Sequence, residues 1–325
     1  VAGLRRPSCL TLGTFDGVHL GHRAVITTLV DKAFRYGLTS VVMTFDPHPR
    51  ISLGKGATPP LLTCTEQKLS LLQELGVNVC LLAELDGNLA GMSPSDFVAE
   101  ILCRKLGVAG VVAGPRLRFG KGQKGTLSLL KRLGEKLGFW VEVVNEVVVD
   151  GVPVSSTMVR RSVLGGDLAT AQALLGRPFS LLGRVVRGKT IGRKLGYRTA
   201  NVELFEQVIP SAGVYAVEVI VNGETHAGAL NLGWRPTFPA GSVSPPALEV
   251  HILDFDRDIY RKQVEIVFHR RIRDERRFAA SEDLARQIAL DIEEVKRYFL
   301  GRMAGDSFRR APAGKSSGRP GNVIC

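Results

Sequence analysis

The first half of the chain alternates short apolar runs with longer stretches in which apolar residues recur every three to four positions. The runs Cys9–Gly13, Ser40–Phe45, Val79–Leu82, Val108–Ala113 and Val141–Val149 predict strands. The stretches Gly21–Tyr36, Thr65–Leu75, Pro94–Leu106 and Thr126–Leu137 predict helices, the first with Val25, Ile26, Leu29, Val30, Ala33 and Phe34 on its buried face. Short apolar strands separated by helices predict an α/β architecture with a parallel, doubly wound sheet. Ligands in such sheets bind beyond the carboxyl ends of the strands.

After a short helix at Gly166–Gly176, ended by Arg177-Pro178, the period changes from helical to alternating. Strands are predicted at Ser180–Val186, Val214–Val221, Thr225–Leu232, Leu248–Phe255 and Val264–Arg271, with a tight hairpin at Val221-Asn-Gly-Glu224. Antiparallel strands without intervening helices predict a small closed β-barrel. A last helix runs from Ser281 to Leu300, with Leu284, Ile288, Ile292 and Val295 on one face. The expected domains are therefore residues 1–178 and 179–303, followed by a disordered tail over 304–325 rich in Gly, Pro, Ser and basic residues.

At 325 residues the chain is long enough for two cores. It contains no run of about 18 apolar residues, which argues against a membrane span. No apolar segment of signal-peptide length precedes the first strand, so a cytoplasmic protein is expected. The five cysteines, Cys9, Cys64, Cys80, Cys103 and Cys325, form no C-x-x-C pair, which argues against a zinc site or a disulfide framework. A formal net charge of +12 suits nucleic acid or several phosphate-bearing ligands equally.

Candidate chemistry begins where the first strand meets the first helix, at Leu10-Thr-Leu-Gly-Thr-Phe-Asp-Gly-Val-His-Leu-Gly-His22. Gly13 and Gly17 let the backbone turn and approach a ligand, and His19 and His22 sit at the positive end of the helix, where an anion is favoured. Three further segments belong to the same sheet edge. Phe45-Asp-Pro-His-Pro49 is a structured loop taken alone. Gly114–Gly125, with Arg116, Arg118, Lys121 and Lys124, is either a solvated basic loop or a ligand contact. Ser155-Ser-Thr157 either caps a helix or binds phosphate, with Arg160 one turn later.

In the second half, Gly183-Arg-Val-Val-Arg-Gly-Lys-Thr190 matches G-x-x-x-x-G-K-[ST], but Gly192, Gly196 and basic residues follow where a phosphate-binding helix is required. Glu249 lies within an apolar strand. By pattern it is either an outward-facing residue or a base whose pKa burial would raise.

These motifs, in this order from about residue 10 to 300, resemble the H-x-G-H nucleotidyltransferases and, within them, the prokaryotic bifunctional riboflavin kinases/FMN adenylyltransferases. The family's T-F-D-P-H-P, G-x-D-F-x-F-G and I-S-S-T-x-x-R segments correspond to those above, although Arg116 and Leu117 replace an acidic or amide residue and a Phe. The Gly183–Gly196 stretch resembles the glycine-rich flap of riboflavin kinases, which leads to P-T-A-N; here that segment is Arg198-Thr-Ala-Asn201.

The resemblance implies a Rossmann-like nucleotidyltransferase domain followed by a kinase barrel with its C-terminal helix. Its substrates would be riboflavin, FMN and ATP with Mg²⁺, with neither nucleic acid nor membrane as partner. It assigns adenylyl transfer to His19, His22 and Arg160, with Gly13, Phe15, Asp16, Gly17, Ser155, Ser156 and Thr157 at the nucleotide. Asp46, Pro47, His48, Arg118, Phe119 and Arg273 would meet the flavin. In the barrel, Gly188, Gly192, Thr199 and Asn201 would hold the second nucleotide, Thr199 and Asn201 would also hold the metal, and Glu249 would be the base. A nucleotidyltransferase for another phosphorylated acceptor with a weakened kinase, and a basic RNA-binding barrel, stand as alternatives.

Overall fold

The computed structural model describes residues 7–47, 59–188, 197–234, 246–276, 278 and 280–307. The chain divides after Thr157 into two compact units.

In the first unit, β1 (Ser8–Leu12), β2 (Thr39–Phe45), β3 (Val79–Ala83), β4 (Val108–Ala113) and β5 (Trp140–Val143) form a parallel sheet in the order β3-β2-β1-β4-β5. Helices α1 (Leu20–Tyr36), α2 (Thr65–Glu74) and α3 (Leu127–Leu137) accompany it. Leu10 and Leu12 of β1 join one core with Val41, Met43 and Phe97. Cys9 joins the other with Val25, Ile26, Leu29 and Leu72. A strand buried on both faces reads as an unbroken apolar run, which is why β1 shows no alternation. The order of the sheet reverses between β1 and β4, and such a switch point opens a crevice at the carboxyl ends of the strands. The Gly13–His22 turn leaves β1 at that end.

Two elements differ from expectation. The run to Val149 leaves the sheet at Val143, and Val148–Val149 (β6) pairs instead with Val152–Pro153 (β7) across a turn at Asp150 and Gly151, both with positive φ. Apolar content alone does not register this break. The expected helix from Pro94 is capped by Ser93, opens as Pro94–Asp96 and continues over Phe97–Lys105 in π geometry.

In the second unit, α4 (Ser156–Leu164), which begins just before the division, and α5 (Leu168–Leu175) lead into six strands. These are β8 (Ser180–Val186), β9 (Ala200–Leu204), β10 (Gly213–Val221), β11 (Glu224–Trp234), β12 (Pro246–Ile252) and β13 (Gln263–Arg273). They close an antiparallel barrel in the order β10-β11-β12-β9-β8-β13. Tyr215, Val217 and Val219 face inward, and the Tyr215 ring meets Phe268 edge-on at 5.3 Å. Helix α6 (Ser281–Ser307) packs Ile292 and Val295 with Ala216. Asn222 and Gly223, at φ +51° and +80°, make the predicted hairpin turn. Strand β12 stops at Ile252 because the chain turns away through Asp254, at φ +51°. Gly183 lies inside β8, where a Cβ would come within 2.6 Å of the Glu203 carbonyl oxygen; it is a close-packing position of the barrel. Lys189 and Thr190, needed for a P-loop, lie outside the described residues.

Among the described residues no helix is long and apolar enough to cross a membrane.

Candidate active sites

Leaving β1, the chain turns through Phe15 (φ +48°), Gly17 (φ +84°) and Val18 (φ +40°). Bulky and β-branched residues adopt such conformations only where surrounding contacts impose them. Here the loop at Leu62 and Thr63 does so. Buried Asp16 accepts the Leu62 and Thr63 N–H groups on Oδ1, at 2.8 and 3.2 Å. The Gly17 N–H donates to Thr63 Oγ1 at 3.1 Å, and Ser156 Oγ donates to the Asp16 carbonyl at 2.9 Å. A Cβ at Gly17 would lie 2.8 Å from Leu62 Cδ1. Asp16 and Gly17 therefore shape the turn, and neither lines the cavity beside it.

The turn delivers His19 to the N-cap of α1. Its Nδ1 accepts the His22 backbone N–H at 3.2 Å, which assigns the ring proton to Nε2. The two imidazoles stack at 3.6 Å and 16°, and Phe15 meets His22 edge-on at 5.2 Å. His22 Nδ1 is buried without a hydrogen-bond partner among the described residues. Burial, then the neighbouring His19 and Lys68, hold the His22 pKa well below the usual 6.5, so the ring is neutral and offers one N–H. His19, His22, Gly13 and Phe15 share a cavity of about 850 Å³ with Ser155, Ser156 and Thr157, a volume in the range of small-molecule sites.

The Gly114–Gln123 loop forms another part of this cavity. Phe119 is buried 6.0 Å from the Phe97 ring, and Arg118 donates to the Leu117 carbonyl at 3.0 Å. Arg116 is ion-paired with Glu146, its Nε 3.0 Å from Oε1. Asp46 and Pro47 are exposed and do not line the cavity; Asp46 accepts the Thr65 hydroxyl at 3.0 Å. His48 lies outside the described residues. Arg160 stands on α4 one turn beyond Ser156, past the division of the chain.

Two groups escaped the sequence reading. Glu146 belongs to Asn145–Val147, a cavity segment that reads as strand. Lys68 is buried on α2, its Nζ donating to Thr44 Oγ1 and the Phe45 carbonyl at 3.3 and 3.4 Å, with a pKa lowered chiefly by burial. Its signal was a lysine midway between Cys64 and Leu72, four residues from each on a buried helical stripe.

The barrel carries a second cleft of about 670 Å³, lined in part by Gly188, Arg198, Thr199 and Asn201. Gly192 lies outside the described residues. The Asn201 side chain is buried against Gly188, where a Cβ would come within 2.0 Å of its Nδ2. Glu249 is half-buried, and the strand register sets it between Asn201 of β9 and Asn231 of β11. Its neighbours Leu248 and Val250 fill the interior, so Glu249 is on the outer face of the barrel wall. Arg273 is ion-paired: its Nε and Nη2 hold buried Asp291 of α6 at 2.8 and 2.7 Å, and Gln287 adds a third bond to that carboxylate at 3.0 Å.

Comparison with known proteins gives a family model described as FAD synthetase over residues 3–158 and one described as riboflavin kinase over 175–299. The bifunctional riboflavin kinase/FMN adenylyltransferase of Escherichia coli (strain K12) is 40% identical over 293 residues, covering 90% of this chain and 92% of that protein. The protein of the same name from Bacillus subtilis (strain 168) is 38% identical over 295 residues, covering 90% and 92%. A crystal structure described as a macrolide-efflux protein from Streptococcus pneumoniae superposes with a TM-score of 0.82 at 30% identity, covering 90% of this chain and 95% of that one. With both family models in order along one chain, and relatives of this identity matched over nearly their whole length, the chain belongs to the bifunctional riboflavin kinase/FMN adenylyltransferase family.

Proposed function

We propose that the two activities of the family divide between the two units, each through the side chains described above. In the first unit, the phosphate of FMN attacks the α-phosphorus of ATP, forming the new P–O bond of FAD as the bond to pyrophosphate breaks. No protein nucleophile is required. Negative charge grows on the non-bridging and leaving oxygens, so the protein's part is to present fixed donors. The ring N–H groups of His19 and His22, the backbone N–H groups of Leu20 and Gly21 opening α1, and the hydroxyls of Ser155 and Thr157 supply them, while the Ser156 hydroxyl holds the turn through the Asp16 carbonyl. The stacked imidazole pair at the positive end of α1, sharing one cavity with those hydroxyls, carries this reading.

In the barrel, a ribityl hydroxyl of riboflavin attacks the γ-phosphorus of a second ATP, giving FMN and ADP, while Glu249 accepts the hydroxyl proton. The oxygens of Thr199 and Asn201 suit a hard cation, and Gly188 makes room for the Asn201 side chain, which a Cβ would displace. Mg²⁺ bound there would offset charge on the transferring phosphoryl group.

Separation of the activities tests the division. His22→Ala is expected to abolish conversion of FMN to FAD while riboflavin is still phosphorylated, and Glu249→Gln to do the reverse. Equal loss of both activities in either variant would refute the assignment.

A further inference from the structure

Three arginines line the barrel cleft, and they are held differently. Arg257 pairs with Glu224, which is not a cleft residue, at 3.1 Å, and lies 4.8 Å over the Phe255 ring. Arg187 lies 5.2 Å over the ring of Tyr260. Arg198 alone of the three is ion-paired with a carboxylate that also lines the cleft, that of Asp256. Their ion pair joins the Arg198–Asn201 segment to the loop after β12.

The backbone at Arg198 is secured independently of that pair. Its carbonyl accepts the His251 Nδ1–H at 2.8 Å, and the Tyr197 ring packs edge-on to His251 at 5.7 Å. The guanidinium can therefore change partner without the segment moving. Both side chains of the pair are largely exposed, 68% for Arg198 and 78% for Asp256, and ion pairs of that kind are weak and screened by salt. A triphosphate carries several charges where Asp256 carries one, and a guanidinium can grip phosphate oxygens with two parallel bonds.

Resting on the kinase reading of this cleft, we propose that Arg198 is a nucleotide-binding residue whose guanidinium rests on Asp256 in the free protein and moves to the triphosphate of ATP when the nucleotide enters. Asp256 thereby competes with the nucleotide and sets its affinity.

Initial rates of riboflavin phosphorylation by the full chain, with FMN and FAD counted together as product at saturating riboflavin, give the KM for ATP. Arg198→Ala is expected to raise that KM about tenfold with little change in kcat, since a charge-assisted contact to substrate is lost. Asp256→Asn is expected to lower it about threefold, the exposed pair being weak. In the Arg198→Ala background Asp256→Asn should have no further effect, because the competition it relieves is gone. Arg198→Lys should restore part of the affinity. The proposal is overturned if Asp256→Asn raises the KM or leaves it unchanged, if Arg198→Ala leaves it unchanged, or if Asp256→Asn lowers it equally without Arg198. Absence of FMN formation by the unaltered chain would overturn the kinase reading and this proposal with it.

Discussion

The carboxylate of Asp16 matters for the two backbone N–H groups it receives, because a buried donor left unpaired loses its water without replacement. Asp16→Ala orphans the N–H groups of Leu62 and Thr63, each worth about 1–3 kcal/mol when left unsatisfied. The turn carrying Phe15 and Val18 at positive φ then loses the clamp that holds it. Asp16→Ala is expected to lower stability in urea unfolding by about 2–4 kcal/mol and to remove adenylyl transfer. Asp16→Asn, which keeps one acceptor oxygen, should lose less than half of that. Equal losses in both variants would show that charge, and not the acceptor position, holds the turn. Buried thiols also behave differently from their sequence context: Cys9 and Cys64 are pushed up to about 12 and about 11 by burial, so both stay protonated and are poor nucleophiles.

At the scale of elements, the Arg273–Asp291 pair ties the end of β13 to α6, with 16% and 7% of the two side chains exposed. Removing the guanidinium strands a buried carboxylate, which destabilises by about 3–5 kcal/mol. Arg273→Ala should therefore lower the thermal midpoint, and replacing Arg273 and Asp291 together by leucine should recover most of it. Weakened riboflavin binding by Arg273→Ala at unchanged thermal stability would instead place its main role at the flavin. The flavin role implied by resemblance did not include this partner, which lies 18 residues further along the chain on another element. The same limit marks what was legible beforehand. The sheet of the first unit and most of the barrel could be read, because one-sided or two-sided burial prints a period on the chain. Strand β9 could not, since it is short and carries Asn201 and Glu203 among its five residues. The His19–His22 constellation was legible because its members are neighbours in sequence. Lys68, Glu146 and Asp256 were not, because each acquires its role from residues brought to it by folding.

Across the whole molecule, each unit contains a histidine whose pKa folding lowers. His22 in the first unit is held below 6.5 mainly by burial. His269 in the second is lowered because burial outweighs the opposing pull of Glu218, whose Oε2 lies 2.9 Å from Nε2. As pH falls through about 6.5, the unfolded chain takes up protons at these rings before the folded chain does, so stability declines from that point downward. Above it both states are neutral at these rings and the contribution is flat. Thermal midpoints are expected to fall between about pH 7 and pH 5, and His22→Gln and His269→Gln should each flatten the decline. A midpoint that rises on acidification through that window would contradict this.

Counting parity along β12 decides which side of the barrel wall the carboxylate of Glu249 occupies. One residue removed between Pro246 and Glu249 would carry that carboxylate to the inner side and push Leu248 to the outer side, with every β12 side chain on the affected length reversed. A point substitution nearby changes a contact, whereas a change of length exchanges inside for outside. The spacing between turns, more than the identity of any one neighbour, keeps this carboxylate in water's reach and out of the hydrocarbon.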